Sequence, residues 1–405
     1  MEATAKVTLL EGKRLLLGVT GSIAAYKTAD LASSLTKAGA QVDVVLTAAA
    51  QKFIAPLTFQ SVTGRRAYTD DDLWGNEAHI LHIGLTQNVD LLAIAPVTAN
   101  TMAKLAHGQA DNLLTVLALA ADCPLLLAPA MDAGMFGHPA TQANLSTLKE
   151  RGARITGPAE GRMASGLVGL GRMLEPEELL GHIRLALATA GPLSGKKIIV
   201  TAGGTQEPID PVRAVVNRSS GKQGFALAQA ALDMGAEVTL IAGPVHLSSP
   251  VGAKRVDVRT AAEMKEAVMA EIKGAQALIM AAAVADFRPK DLAAGKIKRR
   301  EGVPKVELEP TDDILGQVVK SKTRPEVIVG FAAETQDLIE YAQAKLKEKG
   351  LSLVVANDIT APDAGFAVDT NRVVLIHANG EVEKLPLMTK AEVGERVLAA
   401  VVEIL

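Results

Sequence analysis

The chain has 405 residues, 48% of them hydrophobic, which is enough for two or three domains with large cores. A net charge of −3 and an aromatic content of 3% give no electrostatic or stacking reason to expect nucleic acid, and a single cysteine, Cys123, excludes an internal disulfide framework and a cysteine-rich metal site. No apolar run reaches the roughly 20 residues of a membrane span, and no charged-then-apolar leader opens the sequence, so a cytoplasmic protein without membrane partners is expected.

Residues 13–47, KRLLLGVTGSIAAYKTADLASSLTKAGAQVDVVLT, read as a βαβ unit. A short apolar run ends in a Gly/Thr/Ser turn. A helical pattern follows with Leu31 and Leu35 on one face and Gly39 as its stop, and a Val-rich run closes the unit. DLLAIAP and PLLLAPA add strands, and Cys123 beside the latter reads as core. Small residues, Pro192 and two glycines in ATAGPLSGKK mark a boundary. Residues 196–242 then repeat the plan with a longer loop between strand and helix, and ALIMAAA, EVIVGFA and LSLVVAN supply further strands. RVVLIHANGEVEKLPL predicts a hairpin turning at Asn379-Gly380, and a last helix spans about 389–405. Continuous rather than alternating apolar runs fit strands covered on both faces. The expected fold is α/β: two doubly wound Rossmann-like domains with mainly parallel sheets, over 1–190 and 191–405, with ligands at the carboxyl ends of the strands.

The turns after these strands carry the chemistry. GVTGS (Gly18–Ser22) offers amides and a hydroxyl to one phosphate, or is only a tight turn. It lacks the G-x-G-x-x-G spacing, and the second strand ends at Thr47 rather than at an acid that would hold an adenosine ribose, so a mononucleotide fits better than a dinucleotide. In APVTANT, Pro96 stops a strand, and Thr98, Asn100 and Thr101 supply hydrogen bonds or simply an N-cap. APAMDAGMFGHPAT mixes methionines, a phenylalanine and a carboxylate at the same sheet edge. His79 and His82 lack a nearby third metal ligand; either a general base or an exposed helix histidine is possible. VNRSSGKQGF resembles a phosphate loop, yet Val216 and Gln223 break the Walker A pattern, and Lys222 is not expected to be a phosphate hook.

In this order, GVTGSIAAYK, HIGL, APVTANTMAKLAHGQADNLL, PAMDAGM and ASGLVGLGRM resemble the flavin-dependent cysteine decarboxylases. TAGGTQEPIDPVRAVVNRSSGKQGFALA, AAAVADFRP, KIK, VGFAAET and ANDI resemble phosphopantothenate–cysteine ligase. Together, over roughly 12–402, the chain resembles the bifunctional decarboxylase/ligase family of coenzyme A synthesis.

For the first half the resemblance implies FMN, with Gly21, Ser22 and Ala24 at its phosphate and Thr47, Pro96, Thr98, Ala99 and Asn100 along the flavin, which serves as electron sink for decarboxylation. It implies His82 as the base and Asp132 and Met135 as substrate contacts. Asp132 stands where the family has Asn; ionised it would repel a substrate carboxylate, protonated it could donate to one. Ser165 stands where the family's flap has the Cys that protonates the enethiolate, and glycines 166, 169 and 171 fit a mobile lid. For the second half the resemblance implies that 4′-phosphopantothenate attacks CTP and that cysteine then takes up the acyl group. Asn217, Arg213 and Ser219 would contact substrate, and Lys296 would lie near the α-phosphate. Met280, Ala281, Ala282, Asp286, Asp312, Asp313, Ile314, Leu315, Phe331, Lys345 and Lys349 would hold CTP, with Mg2+ carried mostly by its phosphates. The two lysines share a face of one predicted helix. A homo-oligomer of trimeric decarboxylase and dimeric ligase units is implied. Two alternatives stay open: an active ligase whose flavin domain no longer completes decarboxylation, and a non-catalytic nucleotide-binding assembly protein.

Overall fold

The structure, a computed structural model, describes residues 7–74, 78–164, 166–298, 303–334, 338–358 and 368–405. The chain divides into two compact units, 1–188 and 189–405. The first runs β1 (Arg14–Val19), α1 (Ala25–Lys37), β2 (Gln41–Leu46), α2 (Pro56–Thr63), β3 (Ala67–Thr69), α3 (Ala78–Thr86), β4 (Leu91–Val97), α4 (Ala99–His107) and α5 (Leu113–Ala120). It continues through β5 (Leu125–Pro129), α6 (Ala133–Gly137), α7 (Pro139–Glu150), β6 (Arg154–Ile155), β7 (Ala159–Arg162), β8 (Val168–Arg172) and α8 (Pro176–Leu187). The sheet order is β3-β2-β1-β4-β5-β6, with every pairing parallel.

Strand alternation divides the core into two layers. Leu15, Leu17 and Val19 of β1 join Leu31 and Leu35 of α1 and Ile183 of α8, while Leu16 joins Met102, Leu113 and Leu114 of α4 and α5 on the opposite face. Both faces are thus covered, which is why the strands carry unbroken apolar runs. The connection after α1 turns at Gly39 (φ 106°), where a Cβ would stand 3.2 Å from the Glu11 Cα. Strand β2 stops at Leu46, one residue before the expected end. The segment expected as a lid forms the antiparallel hairpin β7–β8. Of glycines 166, 169 and 171 only Gly166 has a positive φ; a Cβ on Gly171 would collide with the Met131 carbonyl and one on Gly169 would press on Ala133. Close packing therefore demands those two glycines.

The second unit comprises β9 (Lys197–Ala202), β10 (Gln206–Pro208), β11 (Ala214–Val216), α9 (Lys222–Asp233), β12 (Glu237–Ala242), β13 (Lys254–Asp257), α10 (Ala261–Glu271), β14 (Ala277–Met280), β15 (Phe287–Pro289) and β16 (Leu308–Pro310). Then come α11 (Ile314–Lys320), β17 (Val327–Glu334), α12 (Leu338–Lys349), β18 (Leu353–Asp358), β19 (Thr370–Asn371), β20 (Val373–His377), β21 (Val382–Lys384), β22 (Met388–Thr389) and α13 (Lys390–Ile404). Its main sheet is ordered β13-β12-β9-β14-β17-β18-β20-β21. The first six strands repeat the order of the first unit and are parallel; β20 and β21 are antiparallel additions. Gly380 (φ 93°) makes the turn between them, and the Asn379 side chain accepts from the Glu381 amide. The longer loop after β9 holds the hairpin β10–β11. Thr389 and Glu392 close a capping box at the start of α13. Among the described residues no helix is long and apolar enough to cross a membrane.

Helix α9 lies so close to β9 that a Cβ on Gly224 would sit 2.5 Å from the Ala202 Cβ and 2.9 Å from the Thr201 carbonyl oxygen. Both obstacles belong to the central strand and cannot yield cheaply. Gly224→Ala is expected to destabilise the second unit by about 1–3 kcal/mol, measured as a lower denaturation midpoint of its unfolding transition.

Candidate active sites

In both units the strand order reverses beside the first strand, between β1 and β4 and between β9 and β14. Crossovers leave such a point in opposite directions and open a crevice at the carboxyl ends. Each crevice is a cavity, about 1040 Å³ in the first unit and about 910 Å³ in the second.

The first cavity is organised by Thr20, which is buried. Its hydroxyl donates to the Pro96 carbonyl (2.7 Å) and accepts from the Thr98 amide (3.1 Å), fastening the turn after β1 to the turn after β4. Helix α1 presents its positive dipole end at the crevice, where the Ser22 hydroxyl accepts from the Ala24 amide (3.3 Å) and the Ser22 carbonyl from the Ala25 amide (3.0 Å). Gly21 packs on Ala49 so closely that a Cβ would lie 2.5 Å from the Ala49 Cβ. Thr98 caps α4 by accepting from the Thr101 amide, and Asp132 caps α6 by accepting from the Gly134 amide. Asp70 ties two walls together, accepting from the Ala48 and Leu113 amides. Lys27 pairs with Glu175 at 2.7 Å; that lysine first, against burial and with help from Arg172, holds the Glu175 carboxyl below its ordinary range.

Gly21, Ser22, Ala24 and Thr47 line this cavity, as do Thr98, Ala99, Asn100, Asp132 and Met135. Pro96 does not; its carbonyl serves as the Thr20 acceptor. His82 is half-buried on α3 and does not line it either. Ser165 and the side chain of His79 lie outside the described residues. Sequence reasoning missed Lys27, Tyr26 and Asp70; all three carry only an ordinary helix or turn signal in the sequence.

In the second cavity Thr201 repeats the device: its buried hydroxyl accepts from the Ala282 amide at 3.1 Å and approaches the Met280 sulfur at 3.7 Å. Asn217 spans the crevice and donates to the Val284 carbonyl at 3.0 Å. Ser219 accepts from the Gly221 amide, and the Asp286 carbonyl accepts from the Thr311 amide. Lys345 donates to the Phe331 carbonyl at 2.8 Å, and Lys349 pairs with Asp313 at 2.9 Å. Asp313 caps α11 through the Gly316 amide. Burial pushes its carboxyl up, but that amide and Lys349 outweigh burial and hold it below the usual range. Asp312 pairs instead with Lys265.

Met280, Ala281, Ala282, Asp286 and Phe331 line this cavity, as do Asp312, Asp313, Ile314 and Leu315, the lysines 345 and 349, and Asn217 and Ser219. Arg213 and Lys296 do not. The Arg213 guanidinium rests on the buried Asp210 carboxylate (3.2 Å) and donates to the Ile297 carbonyl (3.3 Å), while Asp210 also accepts from the Ile297 amide (3.2 Å). Both backbone groups of Ile297 are thereby clasped, and Arg213 positions the loop that carries Lys296. Residues not foreseen are Gln223, Asn357, Asn371 and Lys390. Among the described residues there is no cluster of three or more acidic, His or Cys side chains that could hold a metal.

Two doubly wound units, each with a polar crevice at its switch point, define a two-domain enzyme of the nucleotide-binding α/β class. Residues 4–187 match the Flavoprotein family, and residues 193–405 match the DNA/pantothenate metabolism flavoprotein C-terminal domain. The chain is 44% identical over 393 residues to the coenzyme A biosynthesis bifunctional protein CoaBC of Bacillus subtilis (strain 168), covering 96% of this chain and 97% of that one. It is 46% identical over 393 residues to the same-named protein of Vibrio cholerae serotype O1, covering 96% and 98%. A crystal structure of the C-terminal domain of a CoaBC protein is 40% identical, covers 53% of this chain and 98% of that one, and superposes with a TM-score of 0.46. The chain belongs to the family of coenzyme A biosynthesis bifunctional proteins, enzymes with a flavoprotein decarboxylase domain followed by a ligase domain.

Thr20→Val removes one donor and one acceptor from a buried position while keeping its shape. It is expected to cost about 1–3 kcal/mol by thermal or denaturant unfolding of the first unit, and Thr20→Ser is expected to recover most of that.

Proposed function

We propose that the second unit joins 4′-phosphopantothenate to cysteine with CTP, through an acyl-cytidylate. The first unit then decarboxylates phosphopantothenoylcysteine with FMN, giving 4′-phosphopantetheine. The observation that carries the reading is the pair of separate crevices, one walled by the start of α1 with hydroxyls, amides and charges of both signs, the other rich in lysines.

FMN fits the first crevice. The α1 amides and the Ser22 hydroxyl suit a single phosphate. No acid follows β2 to hold a second ribose, and Thr98 and Asn100 offer polar edges to a ring. When bound, the flavin supplies a two-electron acceptor for the substrate's cysteine side chain. The chain's own residues do the rest: the β7–β8 hairpin and the methionines 131, 135 and 163 exclude water, and Asp132 orients the substrate carboxylate end. His82 lies off its own crevice, so it serves as base in a neighbouring subunit's site of the proposed homo-oligomer. In the second crevice, Lys345 and Lys349 exchange their present acceptors for triphosphate oxygens, which gain charge as pyrophosphate leaves. Asn217 faces the acyl group, and the clasped loop brings Lys296 to the α-phosphate. Mg2+ enters with the triphosphate and is held chiefly by its oxygens.

Ser165 in place of a thiol favours a second reading, a working ligase with an impaired decarboxylase, because serine is a poor acid near neutral pH. The purified protein, given 4′-phosphopantothenate, cysteine and CTP, is expected to release both pyrophosphate and carbon dioxide. Pyrophosphate alone would select the second reading; neither product would overturn both. Ser165→Cys is expected to keep or raise carbon dioxide release, and Lys296→Gln to lower pyrophosphate release on the order of 100-fold.

A further inference from the structure

Asp210 stands in the turn between β10 and β11 with its side chain fully buried, at 0% exposure. Its two oxygens serve different partners. Oδ1 accepts from the Val212 and Arg213 amides, both at 2.8 Å, and closes the local turn that Asp210 and Pro211 begin. Oδ2 accepts from the Arg213 guanidinium and from the Ile297 amide, both at 3.2 Å. The turn by itself needs one carbonyl oxygen, which an asparagine also has. At the second oxygen an asparagine NH2 would set donor against two donors. The carboxylate is therefore demanded by the partner 87 residues away rather than by the turn. Burial pushes this carboxyl up, but the Val212, Ile297 and Arg213 amides and the Arg213 charge outweigh burial and hold it below its ordinary range.

The distant partner belongs to residues 290–298, which follow β15 and form neither helix nor strand. At its start the Lys290 amide donates to the Glu307 carbonyl at 3.0 Å. Beyond that, among the described residues, the hydrogen bonds of this stretch run to the turn at 209–213. The Ala293 amide donates to the Ile209 carbonyl (3.1 Å), the Ile297 amide to Asp210, and the Ile297 carbonyl accepts from Arg213 (3.3 Å). Lys296 is exposed and directly precedes Ile297. A lysine side chain carries about 2 kcal/mol of rotamer entropy, so its ammonium is aimed only when the backbone beneath it is fixed. Asp210 holds the Ile297 amide itself and holds the Arg213 fork that grips the Ile297 carbonyl. Both sides of that residue thus depend on one carboxylate.

We propose that Asp210 is a positioning residue for the ligation: its second carboxylate oxygen anchors the Ile297 peptide and so fixes the backbone from which Lys296 reaches the α-phosphate. Asp210 does not line the second crevice and acts through Lys296. The inference rests on the ligase reading of Lys296 given above and adds to it the group that sets that lysine in place. A misplacement of about 1 Å at a reacting group can cost on the order of 100-fold in rate, so a single lost clasp in a stretch without regular structure is expected to show in turnover.

The test pairs steady-state kinetics with hydrogen exchange on the full chain. Asp210→Asn and Asp210→Ser both keep an oxygen for the turn and lose the acceptor for Ile297. Each is expected to lower kcat for pyrophosphate release on the order of tenfold or more, with the KM for 4′-phosphopantothenate near that of wild type. Asp210→Asn combined with Lys296→Gln is expected to be no slower than Lys296→Gln alone, because one effect passes through the other. Losses that multiply instead would mean a general structural role and overturn the proposal. Without ligands, amides of 290–298 are expected to exchange faster in both Asp210 variants, while those of β9 and β14 keep wild-type protection. Unchanged exchange in 290–298 would overturn the clasp. Should Asp210→Asn unfold, as judged by circular dichroism, Asp210→Ser, which puts a smaller neutral group in the buried position, decides alone. Lys296→Gln by itself tests the underlying reading: undiminished pyrophosphate release there would overturn the placing of Lys296 at the phosphate, a failure distinct from unchanged exchange, which needs no turnover.

Discussion

Buried threonine hydroxyls keep each crevice in shape, Thr20 in the first domain and Thr201 and Thr205 in the second. Where neighbouring strands send their crossovers to opposite faces, the backbone beyond the sheet loses its ladder partners, and those polar groups need others. Thr20 supplies a donor and an acceptor at once, to Pro96 and Thr98. Thr201 receives the Ala282 amide at the equivalent place, and Thr205 receives the Ala285 amide a little further along. The loops after β4 and β14 are thereby fixed without bulky side chains, and Ala281, Ala282 and Ala283 leave room for ligand against bare backbone.

The same strand order then serves two electrostatic designs. The first crevice combines helix-end amides, hydroxyls and thioethers with charges of both signs such as Lys27, Asp70 and Asp132, a setting suited to a large planar cofactor with one phosphate. The second concentrates lysines, of which Lys349 pairs with Asp313 and Lys222 with Asp369. Asp313 thus balances Lys349 and Asp369 balances Lys222, while Lys345 and Lys390 donate to backbone carbonyls.

Much of this was legible in the sequence. Unbroken apolar runs identified doubly covered strands, Gly39 and Asn379-Gly380 marked real turns, and residues just past strand ends, such as Ser22, Thr47 and Thr98, do line a crevice. Local patterns carry such information because each of these features is decided within a few residues. Arg213 does not line this chain's own crevice, and the local pattern does not reveal that Asp210 and Ile297 occupy its fork. The close packing of Gly171 on Met131 and of Gly169 on Ala133 is a tertiary fact that the local sequence does not carry. Asn371 and Lys390 could not be found at all, since the β19–β22 pairing and the α9–α13 contact bring them to the cavity from far along the chain.

That long reach gives the two halves different histories during synthesis. Every described residue lining the first crevice lies between Gly21 and Met173, so its wall is complete while the second domain is still being made. The second crevice draws on Asn217 and on Lys390, and its wall cannot close until α13 has emerged and docked on α9. A growing chain therefore presents a finished flavoprotein fold alongside a ligase half with an open flank, and chaperone dependence should fall on the later half.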